Sequence, residues 1–415
     1  MIVGAGLAGL ACARALSREG VAVILLEASD GVGGRVRTDR VDSGTGSYLI
    51  DRGFQVYLTS YPEGQRVLRL PDLRLGFFRP GALVRFEGRF WRAADPLRSP
   101  LAALTMLRSP LLCAGDFAAL GLFDARLRLA NEKSCWSAKE QTSEELLRTS
   151  GISERAIDRF FRPFFGGVFL DRSLRTSARK LRSTYRFFAR GRAALPANGM
   201  QAISAQLACD LAPGCVRTCQ SVCAVEPGLV RLESGETLEA SRIVVATDAH
   251  AADKLVGCVT PRRWKSTVCL SYSAPTPPSR EPVLYLDGDG RGPANHVAVI
   301  SNVQPGYAPP GRALISASVI GPQALLDASP TLERLVRAQL CDWFGGEVEG
   351  WDHLRTDYIP RALPDEDAPS LAVPRRPIRT NRDGVYVAGD HLDNASINGA
   401  LESGRRAAEA VLEDR

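Results

Sequence analysis

The chain has no run of eighteen uncharged apolar residues. Its greasiest region, Leu101 to Leu122, is broken by Arg108 and Asp116 and has Pro100 and Pro110 nearby, so a membrane-spanning helix is excluded. Histidine is scarce: His250, His296, His353 and His391 stand far apart in 415 residues. Only five of the 52 basic residues are lysine (Lys133, Lys139, Lys180, Lys254 and Lys265), a bias that points to no one function. No block of one charge exists. The formal net charge of +6 is spread through mixed sequence, so no nucleic-acid partner is expected. The ten cysteines form no paired framework, which suits a reducing compartment, cytoplasmic or plastid-like. Cys215, Cys219 and Cys223 have the spacing to share one strand face; with no histidine near, they read as buried thiols rather than a metal site. Internal repeats and low-complexity tracts are also missing. What remains, 45% hydrophobic and 24% charged residues, is an ordinary globular composition long enough for two or three domains.

Only Met1, Ile2 and Val3 precede the first glycine, where about five or six strand residues are usual, so an upstream segment is expected to have been lost. A removed transit peptide or a wrong start codon would each leave such a start. Gly4, Gly6 and Gly9 then form GxGxxG. Ile2 and Val3 read as a strand end, Leu7 to Glu19 as a helix stopping at Gly20, and Val21 to Leu26 as a strand with Glu27 at its end. That is the βαβ context a dinucleotide fingerprint requires. Gly4 permits the tight turn, Gly6 lets the backbone approach a pyrophosphate, and Gly9 lets helix and strand pack closely. The helix start supplies free N–H groups to phosphates, and Glu27 would accept from ribose hydroxyls. Candidate nucleotide contacts are therefore Gly4, Gly6, Leu7, Ala8, Gly9, Glu27 and Ala28. A second such unit is missing, because Gly288, Gly290 and Gly292 lie in DGDGRGPAN with Pro293 and no helical pattern after them.

The next string, SDGVGGRVRT, places Gly31, Gly33, Gly34 and Arg35 in an order that resembles the GG-R-x-x-T extension of the amine oxidase, protoporphyrinogen oxidase and carotenoid (phytoene) desaturase superfamily. The resemblance implies FAD, with Gly33, Gly34 and Arg35 beside the diphosphate and flavin and Gly53 also at the cofactor. Two distant segments extend it. Cys215 to Thr247 reads as a meander with turns at Glu226-Pro227-Gly228 and Ser234-Gly235, returning through the strand Ile243 to Ala246; in the superfamily a valine matching Val222 touches the adenine. The last part, GVYVAGDHLDNASINGALESGRRAAEAVL, has a strand (Val385 to Ala388), a Gly389-Asp390 turn and a helix from about Asn398. Asp390 would accept from ribityl hydroxyls, Gly389 would leave room for that chain, and the helix start, with Ile397 and Ala400, would face flavin N1 and the C2 carbonyl. A capped terminal helix with Asn394 or Ser396 as N-cap is the plainer reading. No cysteine follows Cys341, so the covalent-flavin cysteine of some monoamine oxidases has no match and non-covalent FAD is implied.

The implied fold class is α/β: a Rossmann-like FAD-binding domain of the glutathione-reductase type with a β-meander, plus an inserted α+β substrate domain. The nucleotide part would comprise residues 1–75, 191–250 and 371–415, and the substrate part 76–190 and 251–370. Asp95 to Ala130 alternates leucines with Arg98, Arg108, Arg126 and Arg128, a pattern for core-packed helices or for helices lying on a membrane surface. RFFRPFFGGVFLDRS carries five phenylalanines that could line an apolar cavity or pack the insert; Phe54, Phe164 and Phe165 are the candidate lining residues. His391 is expected as a helix-entry histidine bound to backbone, and Asp365, Glu366 and Asp367 as a solvated, proline-bounded loop. Lys265 could be proposed as the lysine that holds a water at flavin N5 in many amine oxidases, but PRRWKSTVCL does not set that alignment, and no catalytic residue is assigned.

Amine oxidases usually place an aromatic ring three residues before the terminal Gly-Ala. Ser396 stands there, and ASINGALESG looks like the terminal motif of plant-type carotenoid desaturases. The function implied is hydride transfer between an apolar, polyene- or pigment-like substrate and flavin N5 in a desaturase, dehydrogenase or isomerase, with oxygen or a quinone as acceptor or return of electrons to the substrate. A flavin-dependent amine oxidase and a flavin-holding binding or assembly protein without turnover are the alternatives.

Overall fold

The computed structural model describes residues 1–94, 106, 108–257, 263–321, 330–368 and 376–414. The helices expected between Asp95 and Ala130 therefore lie partly outside the described residues.

Short apolar β segments build the first layer. Ile2–Val3, flanked by Leu25–Leu26 and Ile243–Val245, lies at the centre of a five-stranded parallel sheet ordered Val216–Arg217, Leu25–Leu26, Ile2–Val3, Ile243–Val245, Val385–Val387. Every residue of the three inner strands is buried. A parallel strand covered on both faces needs continuous apolar sequence, and these strands have it. The strand expected over Val21 to Leu26 is only Leu25–Leu26; Val21 to Ile24 approaches the sheet and joins it only where the Ile24 carbonyl accepts from the Ile2 N–H at 2.8 Å. The first helix, Leu7–Arg18, and the terminal helix, Ile397–Glu413, pack on this sheet and on each other. Their crossing is close: a methyl group on Gly404 would stand 2.1 Å from the Ala8 carbonyl oxygen. The expected meander is present as Val222–Glu226, Leu229–Leu232 and Thr237–Glu239, antiparallel throughout.

The second layer is a seven-stranded sheet ordered Asp352–Pro364, Trp264–Ala274, Ala313–Ile320, Ala294–Val299, Leu284–Asp287, Ala82–Phe86, Arg89–Ala93. It is antiparallel except where Leu284–Asp287 runs parallel to Ala82–Phe86. One face packs on helices from the 106–190 region, through Phe161, Phe165 and Leu181. The other packs on the helix Pro330–Phe344, through Leu332, Val336, Leu340 and Trp343.

Three sequence expectations fail here. Phe165 is 2% exposed inside the insert, stacked near Phe161 and Phe169, because its helix turns that face toward the sheet core. The 365–367 segment is buried rather than solvated, with Asp365, Glu366 and Asp367 each below 9% exposure. Cys215, Cys219 and Cys223 do not share a strand face. Only Cys223 lies on a meander strand, Cys219 sits in a left-handed turn at φ +56°, and both are exposed.

Candidate active site

A cavity of about 1090 Å³ runs between the two layers. Ligand pockets commonly hold about 300–1,000 Å³, so this one suits an unusually large ligand or two ligands together. Its walls include Gly4, Gly6, Leu7, Ala8, Glu27, Ala28, Gly33, Gly34, Arg35, Gly53, Phe54, Val222, Gly389, Asp390, Ile397 and Ala400, drawn from all three segments that the sequence singled out. Phe164 also lines it; Gly9 and Phe165 do not.

At the glycine end the backbone forms a cradle. Gly4 takes φ +102°, and Gly33 donates its N–H to the Ala5 carbonyl at 2.8 Å. A Cβ on Gly9 would stand 2.0 Å from the Gly4 carbonyl oxygen, so Gly9 serves the packing of turn against helix without touching the cavity. A Cβ on Gly6 would meet nothing within 4 Å, so Gly6 leaves free volume over the first helix. No side chain caps that helix start. Its unmatched N–H groups can therefore receive phosphate oxygens. Glu27 is oriented by its neighbours: one oxygen accepts from the Ala5 N–H at 2.7 Å, the other from the Ser29 N–H and hydroxyl at 2.9 and 2.7 Å. A carboxylate so held retains lone pairs for a diol.

Midway, Arg35 donates to Asp390 at 2.7 Å and to the Ala362 carbonyl at 3.1 Å, and lies 5.5 Å from the centre of the Trp264 ring. Burial opposes the Asp390 charge, but Arg35, with smaller contributions from His391 and Lys180, outweighs it and holds that carboxyl below the usual carboxylate range. Gly389, at φ +150°, donates its N–H to the Ser403 hydroxyl at 2.9 Å. His391 lies in the short 3₁₀ turn Asp390–Leu392, 1% exposed, well before the terminal helix rather than at its entry. Ser396 is that helix's N-cap, its hydroxyl accepting from the Gly399 N–H at 2.9 Å.

At the far end Phe54 and Phe164 stand where the sequence reading put them, but the ion pairs beside them were missed. Lys265 reaches Asp171 at 3.4 Å, Asp367 at 3.2 Å, Asp365 at 3.4 Å and the Thr176 hydroxyl at 3.2 Å. Burial works against the Asp171 charge and is overcome by Lys265 and Ser173; burial and Asp365 together push Asp367 upward. Lys180 pairs with Glu366 at 3.0 Å, and both line the cavity. Apolar rings cover the rest of this end, with Phe54, Phe164 and Phe188 among them. His296, in the same wall, is 4% exposed, and burial lowers its pKa to about 4, so it is neutral. Asn295 Nδ2 donates to the Pro163 carbonyl and lies 3.2 Å from His296 Nδ1, which must then accept, leaving the ring proton on Nε2. Lys265 and the 365–367 carboxylates each stood out in the sequence, but nothing there paired them; two of the five lysines meet buried carboxylates here.

Residues 7–412 match the family of flavin containing amine oxidoreductases, and the chain belongs to that family. It is a flavin-dependent oxidoreductase. Solved structures share the fold over essentially the whole chain: an oxidoreductase from Methanosarcina mazei (TM-score 0.76, 16% identity, 99% of each chain covered) and cyclohexylamine oxidase from Brevibacterium oxydans IH-35A (0.69, 18%, 100% of this chain and 98% of that one). Putrescine oxidase bound to putrescine is similar as well (TM-score 0.72, 17% identity, 99% of this chain and 98% of that one).

Proposed function

We propose that the protein binds FAD non-covalently and transfers a hydride between an apolar, polyene- or pigment-like substrate and the flavin N5, with oxygen or a quinone as electron acceptor. Bound in this cavity, the flavin would supply two-electron redox chemistry at N5. The residues of this chain supply position and surroundings. The Gly4–Ala8 cradle and the first helix would hold the diphosphate, Glu27 the adenosine ribose, and Val222 the adenine. Asp390, fixed by Arg35, would meet the ribityl chain, and the terminal helix would turn its positive end toward the isoalloxazine.

The observation that carries the substrate reading is the far end of the cavity. Most of the lining is apolar, with Phe54, Phe164 and Phe188 in it; the one carboxylate of this cluster that borders the cavity, Glu366, is paired with Lys180, and Lys265 engages the three aspartates, which do not line it. An ammonium group finds no uncommitted carboxylate among them, whereas an apolar body fits and excludes water from the reacting centre. One feature favours a second reading, oxidation of a C–N bond: Lys265 does line the cavity, the placement a water-holding lysine would require.

Anaerobic mixing of the FAD-loaded protein with carotenoids, porphyrinogens and amines, followed at the oxidised-flavin band, tests the proposal. Bleaching by a polyene supports it, bleaching by amines alone transfers the function to the second reading, and bleaching by none turns it toward a flavin-holding protein without turnover.

A further inference from the structure

We infer that the buried pair Lys180–Glu366 positions and charges the wall beside the isoalloxazine, and so sets the reduction potential of the cofactor. This rests on the FAD reading above. The pair closes on the backbone of a single residue: Lys180 Nζ donates to the Ala395 carbonyl at 2.9 Å, Glu366 accepts from the Ala395 N–H at 2.9 Å, and the two side chains meet at 3.0 Å. Both are 6% exposed, and both border the cavity together with Ala395, Ser396 and Ile397. Ala395 immediately precedes Ser396, the N-cap of the terminal helix.

Three parts of the fold meet at this point. Lys180 comes from the helix Ala178–Arg190 of the insert, Glu366 follows the long strand Asp352–Pro364, and Ala395 leads into the helix that completes the flavin segment. A helix start already carries positive potential and ordinarily attracts anions, so a buried lysine is an unexpected neighbour there. The arrangement makes sense where the cavity beside it must accept negative charge. Two-electron reduction places such charge on the flavin at N1 and the C2 carbonyl. Lys180 adds to the helix dipole at this wall, and Glu366 holds the lysine in place while subtracting from its field. The two are positioning residues, with opposite electrostatic effects.

The test is an anaerobic dye-linked titration of the FAD-loaded, full-length protein carrying Lys180→Met, Glu366→Gln or both. Lys180→Met should lower the midpoint potential and Glu366→Gln should raise it. Each should change the reduced-to-oxidised ratio at a fixed potential by about tenfold, ~30 mV for a two-electron couple, and the double variant should lie between the singles. Loosening of the Ala395 segment alone would move both singles the same way; that result, or two unmoved potentials, overturns the inference. Should Lys180→Met not fold, the near-isosteric Glu366→Gln decides by its sign, a rise supporting the inference and anything else contradicting it. Yellow variants with wild-type potentials sink only the pair, whereas a wild type that takes up no FAD sinks the cofactor reading and the pair together.

Discussion

The parallel sheet and the seven-stranded sheet line one cavity but do so by opposite means. The parallel side offers mostly backbone: glycines with no Cβ, a helix start with no side-chain cap, and two oriented carboxylates, Glu27 and the Arg35-bound Asp390. The antiparallel side and its helices offer side chains, with buried lysines, paired carboxylates and stacked rings. Backbone sites depend on close approach and tolerate almost no added atoms. Side-chain sites depend on balance, where removing one charge strands its partners.

The largest contrast should come from two glycines three residues apart. Gly6→Ala adds a methyl to open space, so the fold should keep its stability within about 0.5 kcal/mol while FAD affinity falls on the order of a hundredfold, about 2.7 kcal/mol. Gly9→Ala pushes a methyl into the Gly4 carbonyl and should instead cost more than about 2 kcal/mol of stability. Thermal melts with and without FAD separate the two, and equal effects would erase the distinction between cradle and packing.

On the antiparallel side, Lys265→Met leaves Asp171, Asp365 and Asp367 without their shared cation and should cost about 3–5 kcal/mol in denaturant unfolding. Phe165→Ala should destabilise by a similar ~3–5 kcal/mol because that ring is core, with FAD binding retained. Phe164→Ala, at the cavity wall, should show mainly as slower flavin bleaching by the substrate. If Phe164→Ala bleaches at the wild-type rate, the aromatic end is packing and not a substrate site.

The smallest effect is one of pH. Burial holds the folded-state pKa of His296 near 4, below the 6.5 of an exposed histidine, so the unfolded chain binds more protons between these values. Stability from this residue is complete above about pH 6.5 and declines as pH falls toward 4, by up to about 3 kcal/mol. His296→Gln should flatten that limb in urea melts taken from pH 7 to 4.5, and an unchanged slope would deny the lowered pKa.

The same division explains what the sequence disclosed. The cradle was legible because its requirements are local: Gly4, Gly6 and Gly9 sit within one turn, and Glu27 follows one strand later. The meander turns and the Ser396 cap were legible for the same reason. Ladder extent was less so, since Val21 to Ile24 has strand-like residues yet makes only one bond to the neighbouring strand, Ile2 N–H to the Ile24 carbonyl. The ion pairs were hidden. Lys180 and Glu366 are 186 positions apart, and Asp365 to Asp367 between Pro364 and Pro369 carries the composition of a surface loop until the fold brings Lys265 against it. Phe164 and Phe165 are adjacent and chemically identical, and only the direction of their helix decides which of them borders the cavity.

The central claim is that three separated segments jointly hold one FAD. Acid precipitation of the purified full-length protein, with chromatography of the supernatant, should release one equivalent of intact FAD per chain from a yellow protein. A colourless protein that takes up no FAD on reconstitution, or a yellow pellet that keeps its flavin, would contradict it.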